Sequence, residues 1–399
     1  MLHHILKQIW TQRRSNTWIF AELLIVFVLA WYIIDYGFVL IHNRMLNKGY
    51  QIDHTYRVAY KSTKEEDKEA VRVFYDRVRL FPGVEKAMIA GKYSGTIPFG
   101  QSYSGSMIGR DTTESAQTFQ VQVKPVSSDD YFDIFRIYSV LRPNSFGKLD
   151  FANEKSIVLT EDVAKAFFNN ENPVGKTIYL SKREFRIVDV VTKQKDLDHK
   201  RHSYAVFHPE NENNISDPKI AIRVGNDFSL DKFKKEVTGS IVTFDELRKK
   251  SDFFSGINNE IRTRFGLMIF FLINISLGII GTFWFRNQTR RSEIGLRIAL
   301  GSTKKQLRKQ YLTEALLILT LAVIPAICIN FALVHSGIIN TVGDQYARSM
   351  QYITDNKWLR FLITNLITYV FLAIIVALSA WIPAHRASKV HPVEALRDE

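Results

Sequence analysis

The chain has 399 residues, 46% hydrophobic and 13% aromatic, with 53 Lys and Arg against 40 Asp and Glu for a net charge of +13. That apolar content excludes a disordered chain, and a single cysteine, Cys328, excludes a disulfide scaffold. The basic excess supports a nucleic-acid reading only if it lies on one folded surface, so its distribution matters more than its sum.

Residues 1–17 form an N-terminal amphipathic segment with Lys7, Arg13 and Arg14 and no acid. The apolar run 18–41 follows, and it reaches the roughly 20 residues an α-helix needs to cross the hydrocarbon layer. It is too long for the apolar part of a signal peptide, and no small-x-small cleavage site follows, so it reads as a retained helix. Similar runs occupy 267–285, 312–334 and 361–382. One such run is compatible with a buried core helix, but four, with Trp and Tyr near several ends, read as membrane spans.

Between the first two runs lie residues 42–266, with 36 basic and 31 acidic residues, a mixed solvated surface rather than a nucleic-acid patch. Their pattern is α+β. Lys64–Phe81 has helical spacing, with Val71, Phe74, Val78 and Phe81 on one face, and stops at Pro82-Gly83. Phe119–Pro125, Ser156–Thr160 and Glu184–Val191 read as strands. Glu161–Phe168 and Leu230–Val237 read as short helices, the second capped by Ser229. This mixture suggests a compact domain with two lobes.

Several features in this region imitate chemistry. Gly175-Lys176-Thr177 resembles the end of a phosphate-binding loop, but Asn170 stands where the motif needs its first glycine and a strand follows. A turn over Asn172–Gly175 fits better. His199, His202 and His208 lie close in sequence, yet the stretch 196–202 (DLDHKRH) reads as an exposed charged loop, and no metal site is expected. Asp129-Asp130 reads as a turn or helix cap rather than an acid–base pair. No coherent catalytic set is present, so no catalytic residue is expected.

After the second run, residues 286–311 carry eight basic residues and one acid, Glu293. By the positive-inside rule this segment faces the cytoplasm, as do both termini, while 42–266 and the short loop 335–360 lie on the far side. Within it, Arg290–Leu300 reads as a short helix ending at Gly301, after which Thr303 and Gln306 form a capping box for a second helix that runs into the third span. On periodicity alone this is equally an interfacial helix or a docking element. Glu22, Asp35 and Glu314 lie in or at the ends of spans, where ionisable groups pair structurally or serve function. Gly278 and Gly281 lack the four-residue spacing of a helix-dimer motif, and Pro325 is expected to kink the third span.

The segment Arg290, Arg291, Glu293, Ile294, Gly295, Arg297, Ala299, Leu300, Gly301, Ser302, Thr303, followed by Glu314, resembles the cytoplasmic loop of FtsX/MacB-type ABC-transporter permeases, with Ser302 in place of the usual alanine. Pro383–Ser388 and His391–Arg397 resemble the family's C-terminal pattern. Val126–Phe135, Ile157–Phe168 and Pro173–Val191 resemble its extracytoplasmic domain, more weakly residue by residue.

The resemblance implies a four-span permease subunit of the bacterial inner membrane, with cytoplasmic termini and a large α+β periplasmic domain inserted between spans one and two. It implies a coupling helix whose ATPase-contact residues are Arg291, Glu293, Ile294, Gly295, Arg297, Ala299, Leu300 and Gly301. The sequence contains no Walker motif, so no cofactor is expected in this chain. ATP and Mg would be bound by two separate cytoplasmic ATPase subunits. A second permease subunit, in a homo- or heterodimer, a periplasmic adaptor or substrate protein, and membrane lipid are the other implied partners. The division is then 1–17, 18–41, 42–266, 267–285, 286–311, 312–334, 335–360, 361–382 and a cytoplasmic tail 383–399. Two other readings stand beside it. A receptor with a ligand-binding outer domain calls for a cytoplasmic signalling domain, and a membrane-embedded enzyme calls for convergent catalytic groups.

Overall fold

The computed structural model describes residues 13–60, 68–90, 105–112, 118–169, 171–211, 215, 218–254, 256–289, 302–336 and 356–387. The chain begins with α1 (Arg13–Met45), β1 (Thr55–Tyr60), α2 (Lys68–Arg79), β2 (Val84–Ala90), β3 (Gly105–Gly109), β4 (Thr118–Val126) and α3 (Asp130–Ile134). It continues through β5 (Ser156–Thr160), α4 (Glu161–Phe168), β6 (Thr177–Leu180), β7 (Arg183–Val191), β8 (Ala205–Pro209), β9 (Lys219–Val224), α5 (Leu230–Glu236) and β10 (Gly239–Thr243). It ends with α6 (Phe244–Phe254), α7 (Ile257–Thr289), α8 (Lys304–His335) and α9 (Lys357–Ala387).

Two compact units result, one helical and one centred on residues 40–258. Among the described residues, α1, α7, α8 and α9 of the helical unit contain 4 stretches long and apolar enough to cross a membrane. At 1.5 Å rise per residue, the 33 residues of α1 extend about 50 Å, well beyond a hydrocarbon layer of about 30 Å. The apolar core joins Ile19, Leu23, Phe27 and Ala30 of α1 to Leu319, Ala322 and Ala326 of α8 and Leu372, Val376 and Ala380 of α9. Alanines at the contacts let the backbones approach, which matters because lipid tails leave packing as the main source of helix association. From α7 the buried core takes Ile279, with Leu272 partly buried against it.

In the other unit, an antiparallel sheet has the order β10-β1-β9-β2, and a closed barrel has the order β3-β4-β8-β5-β7-β6. Strand β9 shows why both faces of the sheet are covered. Ile220, Ile222 and Val224 pack with Phe74 and Val78 of α2 and Phe233 of α5, while Ala221 points into a second core with Phe132, Phe135, Phe207 and Phe244. Of the four residues the spacing puts on one face, Phe74 and Val78 of α2 and Phe81 just beyond it are buried, and Val71 is half-buried. The barrel is filled by Ile108, Val121, Ile157, Leu159, Ile178, Ile187 and Val206, and α4 adds Val163 and Phe167. The sheet and the barrel are the two lobes expected from the sequence.

The turn before β6 has Gly175 at φ 85, as the turn reading requires. Ser229 accepts from the backbone N–H of Lys232 and caps α5. Asp129 stands in the turn at the N-cap position of α3, as the sequence suggests. It begins α3 without a side-chain cap bond, and its Oδ1 instead accepts from the Leu149 N–H at 2.7 Å. Asp130 pairs with Lys86 at 2.8 Å.

Candidate functional site

The eight loop residues singled out from the sequence, Arg291, Glu293, Ile294, Gly295, Arg297, Ala299, Leu300 and Gly301, lie outside the described residues, as does the tail from Ser388. Their flanks are described. Upstream, α7 runs as one helix to Thr289. Downstream, the capping box forms as the sequence predicts: Thr303 Oγ1 accepts from the Gln306 N–H at 3.3 Å, and Gln306 Oε1 accepts from the Thr303 N–H at 2.8 Å. From that cap, α8 continues unbroken from the basic segment into the apolar run. A stiff helix on each side of the basic segment can carry displacement that a flexible linker would absorb.

The three intramembrane acids meet different surroundings. Asp35 is buried and pairs with Arg360 of α9, Nε to Oδ1 at 3.1 Å. Four residues away on each helix, the Trp31 indole N–H donates to Thr364 Oγ1 at 3.0 Å, so one polar seam fastens α1 to α9. The Arg264 guanidinium of α7 lies 3.9 Å from the Tyr36 ring centroid and 5.2 Å from that of Tyr32. It also pairs with Glu260 at 2.7 Å. The Glu22 carboxylate sits where a side chain on Gly278 would be, its Oε2 only 2.6 Å from an ideal Cβ position there. Gly278 therefore does allow close helix contact, whereas Gly281 meets nothing within 4 Å. Glu314 is buried within the core shared by α1, α8 and α9. Polar contacts continue between α8 and α9, where Asn330 donates to Asn365 at 3.2 Å and Thr320 meets Tyr369 at 3.0 Å.

The stretch 196–202 is not the exposed loop expected from its charge. Asp196, His199 and His202 are buried, and several polar groups in and beside the stretch meet partners from distant segments. The Lys195 ammonium donates to the carbonyls of Asn43 at 2.5 Å and Asp198 at 2.8 Å. The Asn43 amide donates to the His199 carbonyl at 3.0 Å, and His202 Nε2 lies 2.6 Å from the Asn47 carbonyl. Burial pushes both His199 and His202 down to about 4 and Lys195 down to about 8. No group of three or more His, Cys, Asp or Glu side chains suited to a metal ion occurs among the described residues. Sequence reasoning missed this cluster, since Asn43 and His199 are 156 positions apart and nothing local joins them.

Comparison with known proteins adds family matches. Residues 265–392 match the FtsX-like permease C-terminal model, and residues 44–240 match the MacB-like periplasmic core domain model. Among curated relatives, the macrolide export ATP-binding/permease protein MacB of Aggregatibacter actinomycetemcomitans is 29% identical over 180 residues, covering 41% of this chain and 28% of that protein. The protein of the same name from Mannheimia succiniciproducens is 24% identical over 265 residues, covering 62% and 39%. The chain thus spans less than half the length of these relatives. Among solved structures, it is similar to the periplasmic region of MacB from Actinobacillus actinomycetemcomitans, at 16% identity and a TM-score of 0.34, over 52% of this chain and 96% of that one.

Proposed function

The chain belongs to the FtsX/MacB-type permease family, and on that premise we propose that it is the transmembrane subunit of an ABC transporter in the bacterial inner membrane. ATP hydrolysis takes place in separate cytoplasmic ATPase subunits, two per complex, which hold the ATP and Mg, and this chain is not itself catalytic. They engage residues 290–301, with Arg291 and Arg297 offering charge and Ile294, Ala299 and Leu300 apolar side chains. Their closure displaces that segment, α7 carries the displacement outward, and the periplasmic domain acts on a substrate or adaptor protein. A second permease subunit completes the complex. Both termini face the cytoplasm, following the basic excess of 286–311.

The observation that carries this reading is the occurrence on one chain, in order, of the periplasmic core match over 44–240 and the permease match over 265–392. The second match contains the basic segment between two stiff helices. To test it, the full chain is purified from its native membrane, and co-eluting ATPase and coupled hydrolysis are measured. Arg297→Glu is expected to abolish co-elution, and Gly295→Pro to uncouple hydrolysis. Both properties intact in both variants would overturn the loop assignment.

A further inference from the structure

The unit of residues 40–258 is entered by the last turns of α1 and left through α6 into the start of α7. These two connectors adjoin neighbouring strands, since β1 and β10 are antiparallel partners with Tyr56 opposite Thr243. Strand pairing fixes β1 to β10 but does not hold the helical segments beyond them. Phe244 and Tyr50 anchor them in the core, and residues 192–203, which leave the barrel between β7 and β8, hold them as well.

This stretch grips the first connector along most of its length. Thr192 Oγ1 donates to the Gly49 carbonyl at 3.1 Å, and the Lys195 N–H donates to the Lys48 carbonyl at 3.1 Å. The Lys195, Asn43 and His202 bonds continue the contact toward α1. Gly49 has φ 78, and a Cβ there would strike the Lys193 carbonyl, so the two backbones meet at a distance only glycine permits.

The same stretch also reaches the second connector. The Lys48 ammonium lies 3.3 Å from Asp198 Oδ1 and donates to Oδ2 at 3.4 Å, the oxygen that also pairs with the Arg248 guanidinium of α6. Arg248 is itself oriented by Asp245, which accepts from its Nε at 3.1 Å and its Nη2 at 2.6 Å. One turn further along α6, Asp252 lies 3.9 Å from His199 Nδ1. Burial by itself would raise the Asp198 carboxyl, but Lys48 and Arg248 outweigh it and hold the group below its usual value. The carboxylate is therefore ionised at neutral pH, and a half-buried ion pair is screened less by salt than an exposed one.

We propose that Asp198 is a positioning residue that binds the outgoing end of α1 and the α6 lead-in to α7 into one strut. This inference rests on the transmission role proposed above. If one arm is held and the other is pushed, a body fastened to both must turn. Without the fastening, each connector flexes separately and the displacement is lost.

Two readouts on the full chain with its co-purified ATPase test the strut. The first is hydrogen exchange without nucleotide. Asp198→Asn should speed exchange about tenfold in both 43–50 and 244–252 while leaving β5 and β9 unchanged. Lys48→Met should also speed 244–252, although Lys48 does not belong to that segment. Unchanged exchange in 244–252 for both single variants overturns the strut.

The second readout is the ATP-dependent movement of the periplasmic domain, followed by spin labels, together with hydrolysis. Asp198→Asn should keep hydrolysis and lose most of the movement. Retained movement with loosened connectors overturns the positioning role. A wild-type domain that never moves with ATP contradicts the transmission reading, and the exchange result then still decides the strut.

Discussion

Helices α1 and α7 both lead into the unit of residues 40–258 and both run for 33 residues, yet they are held very differently. Half of the apolar window of α1 is buried, against 6% of that of α7. Ile19, Leu23, Phe27 and Ala30 lock α1 into the core with α8 and α9, and the Asp35–Arg360 and Trp31–Thr364 contacts pin it again. Helix α7 leaves Ile269, Phe270, Ile273 and Leu277 exposed and is tied by Ile279, Gly278 and the Arg264 stack. Of the two helices that reach that unit, the one attached to the basic segment 290–301 buries less of its apolar stretch within this chain. A lever needs this asymmetry, with one arm fixed and one free.

The largest expected effect removes a pin. Asp35→Leu breaks the buried ion pair with Arg360, at a cost of about 3–5 kcal/mol, read as a fall in thermal stability of the detergent-solubilised chain. Adding Arg360→Leu should recover most of the loss. Next comes packing: Phe27→Ala in α1 empties a fully buried site and should cost about 3–5 kcal/mol. Phe270→Ala in α7, at 59% exposure, should stay within about 0.5 kcal/mol. Equal losses would end the comparison between the helices.

Smaller effects sharpen it. Gly278→Ala pushes against the Glu22 carboxylate and should cost about 1–3 kcal/mol. Gly281→Ala meets nothing and should stabilise by up to about 1 kcal/mol. Glu22→Ala should rescue the first substitution. In the periplasmic unit, folding holds His199 and His202 near 4 against an ordinary value of 6.5. Between those values the unfolded chain binds protons that the folded one does not, so stability present above about pH 6.5 is lost as pH falls toward 4. Thermal unfolding scans from pH 7 to 4.5 should show that decline, and His202→Asn should flatten it.

Much of this fold was legible because it rests on local patterns. Strand β7 runs Arg183–Val191 where alternation predicts Glu184–Val191, and the Thr303–Gln306 box is a three-residue spacing. Period-two alternation also placed β4, although it gives no reason to expect Lys124 fully buried against Asp196 at 3.3 Å. The polar seams were not legible, because their energy comes from partners far apart in sequence. Asp35 stands out as an acid in an apolar run, but only folding shows that Arg360 meets it. The stretch 196–202 has the composition of a surface loop, and Lys48, 150 positions before Asp198, gives no local sign that it closes over it. The proposed ATPase-contact residues lie outside the described residues, so their assignment stands on sequence pattern and family.

The central claim is that α7 moves against a fixed bundle of α1, α8 and α9. Spin labels at Ile273 of α7 and Leu366 of α9, with a control pair at Ile25 of α1 and Leu366, measure it in the complex with its ATPase. All three positions are exposed. Trapping with ATP and vanadate should shift the α7–α9 distance by several ångströms and leave the α1–α9 distance unchanged. Two unchanged distances, or two that shift alike, would contradict the account.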